Sequence, residues 1–209
     1  MKWYDLFSNF YDSSLEKLYF ESRKRAIELL DLKDGLTVID VACGTGANFL
    51  HIKKDHPDIM LYGTDYSGRM LQKAQALIKR NGWSHTSLFR ADARTLTLSS
   101  IQEYTGKELL FDRVLCVLGL SVIPGWETVL RNLVGLLKEN GKIVVMDVFA
   151  EKRTVHTWLV EKIAKADLDR KIGPALERMT SDFYLEYMPV KESKVGGRLF
   201  VAVGTKRRS

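Results

Sequence analysis

Three carboxylates mark the ends of three apolar runs in the first half of the chain: Asp40 in VIDVACGTGANF, Asp65 in LYGTD and Asp92 in RADARTL. Between the first two lies a turn holding Gly44 and Gly46, and a residue without a Cβ lets backbone approach a bound group closely. Asp40, two residues before that turn, would repel a pyrophosphate but suits a ligand carrying an ammonium and a sulfonium. Asp65 follows Gly46 by 19 residues, near the roughly 20-residue interval at which a second-strand acid accepts hydrogen bonds from ribose hydroxyls. Together these residues imply a cationic nucleoside without phosphates.

Two phosphate-binding alternatives fit poorly. A dinucleotide loop of the form G-x-G-x-x-G needs a third glycine where this chain has Phe49, and a bulky residue there is expected to obstruct helix packing and pyrophosphate approach. A P-loop needs G-K-[ST], which does not occur; Gly106-Lys107-Glu108 is the nearest approach. Taken singly, a glycine turn is as readily only a turn, and Asp65 or Asp92 a helix cap or loop acid. Their ordered recurrence after successive strands gives the set its meaning.

The elements that must position these acids alternate along the chain. TVIDVA, IMLYGTD, TSLFRAD, FDRVLCVLG and KIVVMDVF are strand-like; ANFLHIKK, GRMLQKAQALIKR, a stretch near Ser99 to Tyr104, and another from Gly125 to Lys138 are helical. Alternation of this kind predicts an α/β doubly wound, mostly parallel sheet with ligands at the carboxyl ends of its strands. A helix from Arg153 to Ala166 should follow, then FYLEYMPV and GGRLFVAVGTK, joined by a few residues around Lys191 to Gly196. So short a connection suits an antiparallel hairpin, which completes seven strands. Before the first strand, Trp3, Phe7, Phe10, Ser14 and Leu18 repeat at helical spacing and RKRAIELL continues the pattern, so residues 1–33 read as an N-terminal helical cap on a core of 36–206 within one domain.

The glycine loop DVACGTG and the segment GTDYSGRMLQKA resemble class I S-adenosylmethionine (SAM)-dependent methyltransferases with a Rossmann-like fold, especially the group of ubiquinone and menaquinone biosynthesis C-methyltransferases. The resemblance runs from about Tyr11 to Lys206. Where the family loop often begins with glycine, this chain has Ala42, a substitution common in the quinone group. The resemblance implies SAM as cofactor, with Asp40 and the backbone of Ala42, Gly44 and Gly46 at its methionyl end. It implies Asp65 on the ribose, Tyr66 against the adenine, Met70 nearby, Asp92 and the Ala93 backbone at the adenine amino group, and Val117 and Leu118 on the opposite wall.

Methyl transfer from a sulfonium is an in-line displacement of an already activated group, so alignment and water exclusion are the main demands. A general base is required only where the nucleophile must lose a proton. His156, after the fifth strand, and Ser121, in LGLSVIP, are the two candidates for that chemistry, with Ser121 also a candidate for acceptor contact. Tyr4, Tyr11 and Arg170, the last beside Lys171 in DLDRKIGPALE, are candidates for the acceptor site. The aromatics Trp3, Tyr4, Phe7, Phe10, Tyr11 and Tyr19 could roof the pocket as a lid over residues 1 to about 20 or simply anchor a helix on the core.

The rest of the composition narrows partners. The chain of 209 residues carries a net charge of +6, which favours anionic partners without choosing among acidic metabolites, lipid headgroups and nucleic acid. Its basic end, Lys206, Arg207 and Arg208, reads as a solvated tail, and no nucleic-acid motif accompanies it. The two cysteines, Cys43 and Cys116, form no CxxC pair, and the four histidines lack ligand spacing, so no metal is expected and the thiols read as core residues. No apolar run approaches the roughly 20 residues of a membrane span, which predicts a cytoplasmic protein, with peripheral membrane contact left open. The expected acceptor is a small molecule or lipid, a quinone-like ring or a phospholipid amine. A nucleic-acid methyltransferase is suggested only by charge and lacks N/D-P-P-Y/F after the fourth strand, while a noncatalytic SAM-binding regulator is the remaining alternative.

Overall fold

The computed structural model describes residues 14–152 and 154–208. Trp3, Tyr4, Phe7, Phe10 and Tyr11 lie outside the described residues, as does Arg153.

The chain runs α1 (Ser14–Leu29), β1 (Thr37–Val41), α2 (Ala47–Asp55), β2 (Met60–Asp65), α3 (Gly68–Asn81), β3 (Thr86–Arg90), α4 (Leu98–Thr105) and β4 (Phe111–Val117). It continues through α5 (Trp126–Gly135), β5 (Leu137–Phe149), α6 (Val155–Ala164), α7 (Ile172–Met179), β6 (Thr180–Tyr187), α8 (Glu192–Val195) and β7 (Arg198–Lys206). The seven strands form one sheet in the order β3-β2-β1-β4-β5-β7-β6. The first five are parallel, and β7 runs antiparallel to both neighbours. Strand order reverses between β1 and β4, the place where doubly wound sheets open a crevice for ligands.

The period-two alternation of β1 and β4 decides which helices cover which face. Val38, Leu115 and Val117 pack with Ala26, Ile52 and Ala74 of α1, α2 and α3. Ile39, Val41, Val114 and Cys116 face the other way, onto Ile101, Leu130 and Leu176 of α4, α5 and α7. By the same alternation Asp40 shares the side of Val38 and lies under α1 and α2.

Several helix ends follow from local chemistry. The Ser67 hydroxyl accepts from the Met70 amide to start α3, and Gly82 ends that helix at φ 66°. Thr97 and Ser100 cap each other at the start of α4, which satisfies amides that lack an intrahelical partner.

Four details depart from the sequence expectations. Helix α5 stops at Gly135 because Leu137 already pairs with Phe111, the strand then bulging before Arg113 meets Lys142. Helix α7 precedes β6 where no helix was expected, and the hairpin connection contains the single turn α8. The basic end, though Arg207 and Arg208 stay exposed, is bonded back to the sheet. Lys206 Nζ donates to the Leu137 carbonyl at 2.6 Å, Arg207 Nη2 to the Thr180 carbonyl at 3.0 Å, and Arg208 Nε to Asn140 Oδ1 at 3.2 Å.

Candidate active site

The loop leaving β1 alternates into left-handed backbone, with φ of 60° at Ala42, 56° at Gly44 and 85° at Gly46. Gly46 opens α2 without a side-chain cap, so the first amides of the helix have no side-chain oxygen to meet them. The Gly44 amide donates to Asp65 Oδ2 at 2.9 Å, and the Ser67 amide to Asp65 Oδ1 at 2.8 Å. The ends of β1 and β2 are thereby tied together. Each Asp65 oxygen keeps lone-pair capacity for a further donor such as a hydroxyl. Burial pushes this carboxyl above the usual range, opposed by the Ser67, Gly44 and Tyr66 amides.

Phe49 corrects a sequence expectation. Its ring is wholly buried, directed into the core and away from any ligand. A Cβ on Gly63 would lie 2.6 Å from Phe49 Cζ, and one on Gly46 would lie 2.8 Å from Phe49 Cδ2. The packing that a third loop glycine would permit is achieved by Gly63 on β2, which makes room for the ring. Phe49 therefore does not occupy the outer side of the loop.

Asp40 is wholly buried. Asn48 Nδ2 donates to its Oδ2 at 2.9 Å, and Arg23 Nη1 donates to Asn48 Oδ1 at 2.7 Å. Asp40 Oδ1 and Arg23 Nε are buried with no hydrogen-bond partner among the described residues. Desolvation raises the Asp40 pKa to about 7, against the Asn48 hydrogen bond and the Arg23 charge. This is an unsatisfied polar pocket beneath the glycine loop, and buried polar groups in native proteins normally find a partner. Neither Arg23 nor Asn48 stands out in the sequence; the only signal was a polar residue two positions past Gly46.

At the far side of the crevice Tyr66 is 52% exposed, its ring 5.6 Å from the Arg90 guanidinium, whose Nε donates to the Tyr66 carbonyl at 2.9 Å. Met70 is buried just below. Asp92 accepts from Arg94 Nε at 3.0 Å and from the Arg94 amide at 2.9 Å, and these bonds hold its carboxyl below the usual range. Ala93 is buried, and its carbonyl accepts from Asn132 Nδ2 at 3.1 Å. Across the switch point Val117 is buried and Leu118 takes φ 56°. The next residue, Gly119, approaches so closely that a Cβ there would lie 3.0 Å from Ala42 Cβ. Non-glycine residues in left-handed backbone thus flank the crevice on both strands, as strained positions at functional sites often do.

The acceptor candidates fall into different environments. Ser121 is buried, its amide donating to Asp147 Oδ2 at 2.9 Å. Asp147, absent from the sequence candidates, is wholly buried and pushed up by desolvation. Arg170 clamps the loop after β4: Nη1 donates to the Ile123 carbonyl at 2.6 Å and to the Leu120 carbonyl, and Nε to Asp167 at 3.3 Å. Its role is therefore to fix that loop rather than to stand free for an anion. His156 lies on the exposed side of α6, and Tyr4 and Tyr11 are outside the described residues.

The residues present fit SAM. Asp65 and Asp92 stand at the ends of β2 and β3, the Asp65 carboxylate is oriented by the glycine loop, Tyr66 presents an exposed ring, and Asp40 lies buried beneath the loop with one oxygen unpartnered among the described residues. A Cβ on Gly44 would meet nothing within 4 Å, so the loop is open on its outer side.

Comparisons with known proteins agree. A family model described as a methyltransferase domain matches residues 39–143, half of the chain. The demethylmenaquinone methyltransferase of Anoxybacillus flavithermus is 27% identical over 126 residues, covering 60% of this chain and 50% of that relative. The phosphatidylethanolamine N-methyltransferase of Cereibacter sphaeroides is 28% identical over 201 residues, 95% of this chain and 93% of that one. Among solved structures, the complex of the Haloferax volcanii Trm112 methyltransferase activator with a methyltransferase gives a TM-score of 0.80 at 16% identity, covering 100% of this chain and 97% of that one. Haemonchus contortus phosphoethanolamine N-methyltransferase 2 with bound SAM gives 0.72 at 12% identity, covering 97% and 60%. With its sheet order, glycine loop and strand-end acids, the chain belongs to the methyltransferase domain family, in the class I, SAM-dependent group.

Proposed function

We propose that this chain transfers the methyl group of SAM to a lipid or small-molecule acceptor, a phospholipid amine or a quinone-like ring. The observation that carries it is the Gly44 amide bonded to Asp65 where the strand order reverses, which orients a carboxylate with capacity left for ribose hydroxyls. Asp65 would take the ribose hydroxyls, Tyr66, Asp92 and Ala93 the adenine, and the Ala42–Gly46 backbone the methionyl end. Met70, Val117 and Leu118 would close the walls. SAM supplies an activated methyl, and the chain's residues orient it and keep water away. Asp40, Asn48 and Arg23 set the loop from below.

Of the two acceptors the phospholipid amine is favoured, because the relative of that activity matches 93% of its own length, whereas the demethylmenaquinone enzymes of Anoxybacillus flavithermus and Listeria welshimeri match over 50% and 70% of theirs. An uncharged amine attacks a sulfonium without a protein base once its own proton is lost to solvent. The test is methyl transfer from labelled SAM to phosphatidylethanolamine, demethylquinols, small phenols and RNA, with S-adenosylhomocysteine measured in parallel. Label in phosphatidylethanolamine or a demethylquinol is the expected result. Label in RNA alone, or SAM binding without turnover on any acceptor, would overturn the proposal.

A further inference from the structure

Helix α6 is held by its own capping box. Thr154 Oγ1 accepts from the Thr157 amide, and Thr157 Oγ1 from the Thr154 amide, each at 3.1 Å. Its inner side is small: Thr157 is buried, and Val160 packs on Gly196, where a Cβ would come within 2.8 Å. Its outer side is apolar and open. Val155 is 79% exposed, Trp158 55% and Leu159 47%, and their spacing of i, i+3 and i+4 puts them on one face. Lys162 rises through the middle of that face, its ammonium 4.7 Å from the centre of the Trp158 ring. Lys152 is exposed in the turn just before. Of the nearby acids, Glu161 is turned to the Leu168 amide and Glu151 stands in the preceding turn, off the helix.

The helix is also joined to one wall of the candidate site. It leaves the carboxyl end of β5, and the chain after it returns so that the Leu168 carbonyl accepts from the Ala150 amide at 2.6 Å and the Asp167 amide donates to the Ser121 carbonyl at 2.7 Å. The loop after β4, one wall of the candidate site, is thus bonded to the segment carrying this face.

We infer that α6 docks the enzyme on an anionic lipid surface, with Val155, Trp158 and Leu159 entering the headgroup boundary and Lys162 and Lys152 meeting lipid phosphates. An apolar face with an interfacial tryptophan and bordering lysines is the composition that lies in a membrane interface rather than across it, and no described helix is long and apolar enough to span. A second copy of the chain is a poorer occupant. Two-fold pairing of this face would bring the central lysines together, and a ten-residue helix covers far less than the roughly 1,200 Å² of a stable interface. The inference rests on the lipid-acceptor proposal for its purpose, since docking would present a lipid headgroup at the edge of the crevice.

Flotation with phosphatidylcholine vesicles, with and without phosphatidylglycerol, tests it on the full chain. The wild type should float with the phosphatidylglycerol vesicles, less so at high salt, and Lys162→Glu should weaken this. A Val155→Ser, Trp158→Ser, Leu159→Ser triple variant should lose on the order of tenfold or more of the bound fraction while keeping wild-type SAM affinity by calorimetry. No flotation of the wild type, equal flotation of the triple variant, or a dimer that the triple variant converts to monomer without change in flotation would each overturn the assignment. Turnover separates the two proposals. The triple variant should match wild type on detergent-dispersed phosphatidylethanolamine and fall behind on vesicles. A wild type that floats through α6 yet methylates no lipid would sustain the docking and refute the acceptor.

Discussion

Asn48 bridges Arg23 to Asp40, with its amide nitrogen 2.9 Å from Asp40 Oδ2 and its amide oxygen 2.7 Å from Arg23 Nη1. A helix preceding the sheet is thereby wired to the strand-end acid beneath the glycine loop. Replacing Asn48 by Ala strands both a guanidinium nitrogen and a carboxylate oxygen in the interior, where an unpaired group costs about 1–3 kcal/mol. Denaturant unfolding of Asn48→Ala should show a loss of at least this size, together with weaker SAM binding by calorimetry. A variant as stable as wild type would remove the bridge from any structural role.

The buried Asp40 predicts a pH dependence of known sign. Its carboxyl titrates near 3.8 when unfolded and about 7 in the folded chain, so folding favours the protonated form. Its contribution to stability is full below 3.8 and is lost as pH rises through about 7. Between pH 5.5 and 8 the wild-type Tm should therefore fall more steeply than that of Asp40→Asn, which carries no titrating proton. Parallel curves would show that Asp40 does not titrate in this window.

Asp65→Ala should weaken SAM binding by about 1.5–3 kcal/mol, the range for hydrogen bonds to a charged group, with the fold retained. Isothermal calorimetry reads this directly. Unchanged affinity would contradict the ribose assignment.

Gly44→Val and Gly46→Val should both abolish SAM binding, since left-handed backbone at φ 56° and 85° disfavours a branched side chain. They should differ in stability. A Cβ at Gly44 meets nothing within 4 Å, whereas one at Gly46 meets the Phe49 ring at 2.8 Å. Thermal melts should therefore place Gly46→Val clearly below Gly44→Val, and the reverse order would show that Phe49 yields readily.

Losing the Arg170 guanidinium should free the loop after β4. In Arg170→Ala the Leu120 and Ile123 carbonyls lose their donor, so turnover should drop while SAM affinity, set chiefly by the glycine loop and Asp65, stays within about twofold. A parallel fall in both would make the clamp a general folding element instead.

By itself the sequence determined the alternation of strands and helices, the antiparallel last strand and the glycine loop with acids at three strand ends. These are local properties: apolar periodicity fixes the type of each element, and the spacing of Asp40, Gly44, Gly46 and Asp65 places them at neighbouring strand ends whatever the detailed packing. What only the tertiary structure decided is who meets whom across elements. Arg23 and Asn48 are ordinary polar residues until α1 and α2 close over β1 and leave them with Asp40 as the buried company. Arg170 looked available to a substrate until α7 docked beside the loop after β4, and Phe49 looked obstructive until Gly63, on another strand, made room for it. The outer face of α6 was hidden for the same reason. Its apolar residues carry the period of any core-packing helix, and only the placement of Thr157 and Val160 inward shows that Val155, Trp158 and Leu159 face out. Periodicity reports that a helix has two sides, while long-range packing chooses which side is buried.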